Sequence, residues 1–455
     1  MEIANSVSQA SLFDLESTNV RTSGNHSAFN DPAFAANKSL PIHRWVPWIA
    51  GFSRQFVQGA IARHLKKKGT VLDPFSGVGT TLVEAVLSGH DAIGFEINPY
   101  AALACRTKLN AFRLSLGEVQ ESVERFKGFY AQAMASGYTP HSQPPPGFKT
   151  RGEFYSPKVL EKVLVVQDFI ATLKEGLLRD LFRVAFSSTM VSYSNYSYEP
   201  SLGRRVTAGK ENVEDFPVGE AVGGKLREMV QDSEWMRAQL KGVNPTSQVF
   251  SESFFKCRER LTSGSVDLLI TSPPYLNNYH YNRNTRPHLY WLGYAETPSD
   301  MKPLEEENFG KFWQTVRERE NVDLDFKLKS EEIAECLRTL REKNPEKGIY
   351  GGNGWANYAA SYFNDCYKFA LATKYALKRR GTALVVIGNS ILQGGMIPTD
   401  RYLAEIAESV GLELIDIHIP RATRIGNSII HSDVRVGVAE ESHKLYEAVV
   451  ELRKR

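Results

Sequence analysis

Two short stretches of the sequence combine residue types that could do chemistry. One is Ser272-Pro273-Pro274-Tyr275. It offers a hydroxyl on Ser272, a main-chain carbonyl on Pro273 and an aromatic ring on Tyr275, on a backbone that consecutive prolines make stiff. These groups suit a planar base carrying an exocyclic amine, because the two oxygens can accept the amine's hydrogens while the ring stacks on the base. The motif holds no strong acid or base, so its chemistry would be positioning and polarisation. The same residues also fit a surface polyproline turn. The other stretch is Asp73-Pro74-Phe75-Ser76-Gly77-Val78-Gly79-Thr80-Thr81. Gly77 and Gly79 let the backbone approach a ligand closely, and Thr80 and Thr81 stand at a helix start, where N–H groups lack intrahelical acceptors. It is not a P-loop, because no Gly-Lys-Ser/Thr follows, and Leu82 occupies the place of the third glycine in a dinucleotide fingerprint. Glu96, at the tip of the next strand, is placed to bind both hydroxyls of a ribose.

These residues need strand ends to hold them. Val266 to Ile270 reads as a buried strand that the prolines terminate, and the carboxyl end of a strand is where open α/β sheets place their chemistry. Thr70 to Asp73 is a second strand, followed by a helix that Gly89 stops, and Asp91 to Glu96 is a third. Further strands are expected at Gln248 to Glu252, Gly381 to Ser390, Leu412 to Ile419 and Ser432 to Glu440. Helices are expected from Ser53, over Ala359 to Lys378, over Pro398 to Val410, and from Lys444 to the end. This alternation predicts an α/β, doubly wound, mostly parallel Rossmann-like sheet with a large helical insertion.

Asp-Pro-Phe-Ser-Gly-x-Gly-Thr-Thr from Asp73 resembles the cofactor motif of the DNA amino-methyltransferases, and Ser272-Pro-Pro-Tyr275 is similar to their catalytic motif. The resemblance implies S-adenosylmethionine as cofactor. Asp73, Phe75, Gly77 and Gly79 would line its methionine end, Glu96 would take the ribose, and Pro74, Ser76, Thr80, Thr81 and Asn98 would complete the site. Trp48, Phe52 and Ser53 resemble the segment that closes over the cofactor. Glu252 is the nearest candidate for the acid that holds the adenine amine. Ser272, Pro273, Pro274 and Tyr275 would be catalytic, acting on a base flipped out of double-stranded DNA. Serine in the first motif position points, by the same resemblance, to cytosine N4, in a site-specific enzyme of the restriction-modification type with a cognate endonuclease as functional partner. The cofactor motif precedes the catalytic motif, the reverse of many such cytosine enzymes, which keeps adenine N6 open. An RNA guanine-N2 enzyme would carry comparable loops, but no RNA-binding module is recognisable. A glutamine-amide methyltransferase would have Asn where Ser272 stands. Carbon-5 methylation needs a cysteine nucleophile, usually after proline, and none of the four cysteines follows one.

On this reading, residues 1–40 are a loosely ordered leader and 41–110 the cofactor half of the core. Residues 111–245 are a mostly helical inserted domain and the candidate for target recognition. Residues 246–295 carry the catalytic strand and loop, 296–353 a charged, solvated helical excursion, and 354–455 the second half of the core. Tyr198, Arg204 and Arg205 lie in an aromatic, polar loop suited to phosphate contact and base stacking, and equally to packing. Asn278, Tyr279 and Arg283 extend the catalytic loop toward DNA.

Composition sets outer bounds. A net charge of +3 is too small to diagnose a nucleic-acid binder by itself. The four scattered cysteines argue for a reducing compartment and against a zinc site or disulfide framework. With no long apolar run and no signal peptide at the N-terminus, a cytoplasmic enzyme without a metal is expected.

Overall fold

Strands form here where apolar residues run without a polar face, and helices where they recur every three or four positions. The structure, a computed structural model, describes residues 35–48, 53–198, 201–276, 281–424 and 444–455. Its strands are β1 (Thr70–Asp73), β2 (Asp91–Phe95), β3 (Tyr196–Tyr198), β4 (Leu202–Arg204), β5 (Ser247–Phe250), β6 (Val266–Thr271), β7 (Leu377–Gly388), β8 (Ser390–Leu392), β9 (Gly395–Ile397), β10 (Leu412–Arg424) and β11 (Lys444–Lys454). Seven of them make one sheet in the order β10-β11-β7-β6-β1-β2-β5. The pairs from β7 through β6, β1 and β2 to β5 are parallel, and β11 runs antiparallel to both of its neighbours. Chain order reverses at β1, so the carboxyl ends of β1 and β6 flank the topological switch point, where such sheets bind ligands.

Both faces of the sheet are covered. Along each central strand, alternate residues enter opposite cores: Val71, Leu268, Ile270 and Leu384 one, Leu72, Leu269, Ala383 and Val385 the other. On the first face lie α1 (Arg54–His64), α2 (Thr80–Leu87) and α3 (Pro99–Leu109), joined by α4 (Leu116–Ser136), α5 (Pro157–Thr172), α6 (Leu177–Thr189) and α7 (Val218–Gln239). Against the second lie α8 (Cys257–Arg260), α13 (Gly352–Ala376) and α14 (Thr399–Ser409). Between α8 and α13 in the chain come α9 (Tyr281–Trp291), α10 (Lys302–Glu306), α11 (Trp313–Val316) and α12 (Glu332–Arg341). Among the described residues no helix is long and apolar enough to cross a membrane.

The doubly wound, mostly parallel architecture is as expected; several parts of it are not. The C-terminal segment is the strand β11, not a helix. Its apolar positions fit either period, but it fills a slot between β7 and β10 whose open N–H and C=O groups pair with it on both sides. The strand expected at Ser432 to Glu440 lies outside the described residues. The 111–245 insertion is helical, yet it has no core of its own: Phe126, Phe169 and Phe182 belong to the same apolar cluster as Val71 and Leu82. The 296–353 excursion is not merely solvated, because Phe309, Val316, Phe326, Ile333, Leu337 and Leu340 are buried in the second core. Most of the expected leader lies outside the described residues, but 35–39 form a short turn in which Asn37 is buried and accepts from the Arg54 N–H.

Candidate active site

β1 and β6 lie side by side with Leu72 opposite Leu269. This register brings Thr271, the last residue of β6, beside Asp73, the last of β1. The Thr271 hydroxyl donates to Asp73 Oδ1 at 2.6 Å, in the buried interior. The same Oδ1 accepts from the Phe75 N–H at 3.1 Å, which starts the turn. The turn is then built on main-chain groups. Gly77 and Gly79 both adopt left-handed φ, +48° and +89°, and a Cβ on Gly79 would meet Cys105 Sγ at 2.6 Å. Glu96 closes the turn from the β2 side: its Oε2 accepts from the Gly77 N–H and its Oε1 from the Asn98 N–H, both at 2.8 Å. Trp48 lies over the turn, so that a Cβ on Gly77 would be 3.2 Å from its indole nitrogen.

Asp73 is buried and Glu96 half-buried, and among the described residues neither makes an ion pair. Burial pushes the Asp73 carboxyl up to about 6, against the opposing bonds from Thr271, Thr81 and Phe75. Burial likewise pushes Glu96 up to about 7, against its two main-chain donors and with a small addition from Asp73. Two carboxylates so disposed, around a glycine turn that would not tolerate side chains, fit a ligand with hydroxyls to donate and positive charge to offer.

The loop after β6 is fastened from behind. The Pro274 carbonyl accepts from the Tyr362 hydroxyl of α13 at 3.0 Å. The Tyr275 hydroxyl donates to Glu447 Oε1 of β11 at 3.0 Å, and its ring lies so close to Gly388 at the end of β7 that a Cβ there would be 3.0 Å away. Ser272 Oγ and the Pro273 carbonyl, by contrast, take no hydrogen bond among the described residues.

The chain is similar to known proteins in family, sequence and structure. The N6/N4 methyltransferase family, described as DNA methylase, matches residues 26–105. Over 439 residues the chain is 23% identical to the type II methyltransferase M.BsoBI of Geobacillus stearothermophilus, covering 87% of this chain and 83% of that one. Over 434 residues it is 25% identical to the type II methyltransferase M.AvaI of Nostoc sp., covering 87% and 84%. The chain is similar to the N4/N6 DNA amino-methyltransferases. Among solved structures, TrmN from Thermus thermophilus matches 88% of this chain and 49% of its own at 9% identity, with a TM-score of 0.29.

S-adenosylmethionine is the methyl donor that this similarity implies, and the expected ligand residues divide by what they touch. Asp73, Gly77, Gly79, Glu96 and Trp48 converge on the turn. Ser76, Thr81 and Asn98 serve it from behind. The Ser76 hydroxyl donates to the Phe95 carbonyl, and that of Thr81 reaches the Ile270 carbonyl at 3.5 Å. The Asn98 amide caps α3 and donates to Thr285 of α9 at 2.7 Å. Ser53 caps α1 through the Phe56 N–H. Phe75 packs edge-on to Phe309, 5.2 Å between centroids. Pro74 and Thr80 complete the turn and the start of α2. Glu252 is held by Arg260, its Oε1 accepting at 2.5 Å. Phe52, Asn278 and Tyr279, and the Arg283 side chain, lie outside the described residues.

Of the expected DNA contacts, the Tyr198 hydroxyl donates to the Asn284 carbonyl of α9, and Asn284 Oδ1 accepts from the Leu202 N–H. The β3–β4 hairpin is thus pinned to the helix that follows the catalytic loop. Arg204 is exposed at its end, and Arg205 donates to the Glu211 carbonyl at 2.9 Å. Sequence reasoning missed Thr271, Tyr362 and Glu447, the three residues that align the two loops. It also missed Asp232 of α7, which accepts from the Ile42 N–H, the Trp45 indole and the Arg44 guanidinium, and so anchors the segment leading to Trp48. Among the described residues no three His, Cys, Asp or Glu side chains are grouped to hold a metal.

Proposed function

We propose that the protein transfers the methyl group of S-adenosylmethionine to the N4 amine of cytosine in double-stranded DNA, as a site-specific modification enzyme of the type II class its relatives represent. One observation carries the reading of the catalytic loop: its rear acceptor and hydroxyl, on Pro274 and Tyr275, are tied to the protein, while Ser272 Oγ and the Pro273 carbonyl take no hydrogen bond among the described residues. Asp73, Glu96 and the glycine turn would hold the cofactor, which supplies an electrophilic methyl on a sulfonium. The target amine is a poor nucleophile, because its lone pair is delocalised into the ring. Ser272 Oγ and the Pro273 carbonyl accept its hydrogens and favour tetrahedral nitrogen, which frees that pair. Held there, the cofactor would supply the methyl and keep the carbon–sulfur pair, while the amine held by Ser272 and Pro273 would lose one proton to solvent. Tyr275, held by Glu447, offers its ring to the extracted base. Alignment of donor and acceptor follows from the Thr271–Asp73 bond, and preorganised dipoles supply the rest. The β3–β4 hairpin, with Arg204 and Arg205, would meet the phosphate backbone. A cognate endonuclease is the expected functional partner.

The test is transfer of labelled methyl from S-adenosylmethionine into unmethylated genomic DNA, with nuclease digestion and identification of the labelled nucleoside. N4-methylcytidine is expected. Label in N6-methyladenine would overturn the base assignment, and label only in RNA or protein would overturn the substrate.

A further inference from the structure

The second side of the catalytic loop carries a feature that its reading as a methyltransferase does not use. α13 ends at Ala376, beside the start of β6, since Leu377 pairs with Val266. It therefore runs back toward the carboxyl ends of the strands, and Tyr362 is level with the catalytic loop because its hydroxyl reaches Pro274. From Tyr362 to Gly352 the helix continues about 15 Å past that level.

On this projection sits a turn, Pro345 to Tyr350, built to be rigid. Asn344 and Gly348 take left-handed φ of +48° and +55°. Gly351 and Gly352 pass so close to the Asn344 and Leu340 carbonyls that neither could carry a Cβ, and a Cβ on Gly354 would be 2.5 Å from the Ile349 carbonyl. Asn344 donates to Gln393 Oε1 of the β8–β9 hairpin at 2.6 Å, and Gly352 N–H to the Lys343 carbonyl at 2.8 Å. Between the exposed charges of Glu346 and Lys347 and the start of α13, this frame holds outward Ile349, 40% exposed, and Tyr350, 49% exposed. Beneath Tyr350, Trp313 stacks on Trp355 at 5.0 Å. The Arg317 guanidinium lies over both Trp313 and Tyr350, 4.7 and 5.2 Å from their centroids, and bonds Glu318 at its edge.

Exposed aromatic and aliphatic side chains on a tight, glycine-locked turn are contact groups rather than leftovers of packing. A duplex brought to the loop for extraction of a base has to lie beside this projection. The β3–β4 hairpin stands on the other side of the loop, reached through Asn284, next to Thr285 and the Asn98 cap beyond β2. We propose that the Pro345–Tyr350 turn, with Arg317, is a second jaw that docks double-helical DNA opposite the hairpin, placing Ile349 and Tyr350 against the bases around the extracted one. This rests on the reading of the enzyme as a DNA methyltransferase.

The direct test replaces Tyr350 with a photo-crosslinking residue, Tyr350→p-benzoyl-Phe, in the full chain. Mixed-sequence duplex DNA is the probe. Val243→p-benzoyl-Phe, an exposed position at the amino ends of the strands, is the control. Crosslinking to duplex at 350 and not at 243 is expected. In parallel, Ile349→Ala/Tyr350→Ala should lower methyl transfer into duplex by about tenfold or more, with circular dichroism and S-adenosylmethionine affinity unchanged. Wild-type transfer into DNA, without crosslinking at 350 or without loss in the double variant, would overturn the jaw alone. Absence of label in DNA from the wild type would overturn the reading beneath it.

Discussion

The two strand-end loops of the site are built on opposite plans. After β1, polar side chains are drawn inward: Asp73 accepts from Thr271 and Phe75, Glu96 from Gly77 and Asn98, and Ser76 donates to Phe95. What is left for a ligand is glycine backbone and the outer lone pairs of the buried Asp73 and half-buried Glu96 carboxylates. After β6, the side chains and carbonyls are sorted front from back. Pro274 and Tyr275 are held by α13 and β11, while half-buried Ser272 Oγ and the buried Pro273 carbonyl take no hydrogen bond among the described residues. The first plan makes a fixed cradle that binds by shape and main chain. On the proposed reading, the second makes a stiff pair of acceptors whose worth would be greatest as the amine nitrogen changes geometry. The Thr271–Asp73 bond joins the two plans.

The comparison breaks most severely on the cradle side. Gly79→Val adds a side chain at φ +89° where even a Cβ would strike Cys105 Sγ. We expect a stability loss of about 2–5 kcal/mol and no measurable cofactor binding, read by thermal unfolding and calorimetry. A variant with wild-type affinity would mean that no ligand approaches this turn. Thr271→Val cuts the joint between loops and removes a donor from a buried carboxylate, at a cost of about 1–3 kcal/mol. Methyl transfer should fall about tenfold in single turnover while the fold is kept; an unchanged rate would show that the loops need no common anchor. Glu447→Gln weakens the rear fastening of Tyr275, so a loss of severalfold in transfer with unchanged cofactor affinity is expected.

Titration sharpens the cradle further. Burial holds Asp73 near 6 and Glu96 near 7, so without ligand both are partly protonated around pH 6 to 7. Because these folded values are raised, their contribution to stability is present below the ordinary carboxyl range and lost as pH rises through 6 and 7. A cationic, hydroxyl-bearing ligand favours the ionised forms. S-adenosylmethionine affinity should therefore rise severalfold from about pH 5.5 to 7.5 and level off above it, with protons released on binding, as calorimetry in buffers of different ionisation enthalpy would record. Glu96→Gln should flatten most of that slope.

Much of this site can be read in the sequence because its motifs are contiguous. Residues 73–81 and 272–275 each carry their own turn chemistry, and Ser53 caps α1 through a bond spanning one turn. Thr271 could not be read that way. It acts only because β6 pairs with β1 in the register that sets Leu269 beside Leu72, and no local rule fixes the pairing of strands so far apart in the chain. The C-terminal segment misleads for a related reason: Leu445, Val449 and Leu452 fit a helical stripe, and only the open edges of β7 and β10 decide for a strand. In the excursion, Ile333, Leu337 and Leu340 do recur at helical spacing, a signal that the density of charges around them obscured.

The account's central claim is that Ser272 Oγ holds the amine as its nitrogen becomes tetrahedral. The measurement that tests it most directly is single-turnover methyl transfer by Ser272→Ala on DNA that the wild type modifies, with cofactor and DNA affinities measured alongside. A fall in the chemical step of about tenfold or more, with both affinities within about twofold of wild type, is the predicted result. Transfer at the wild-type rate would remove Ser272 from the mechanism and return the Ser-Pro-Pro-Tyr loop to a stiff turn.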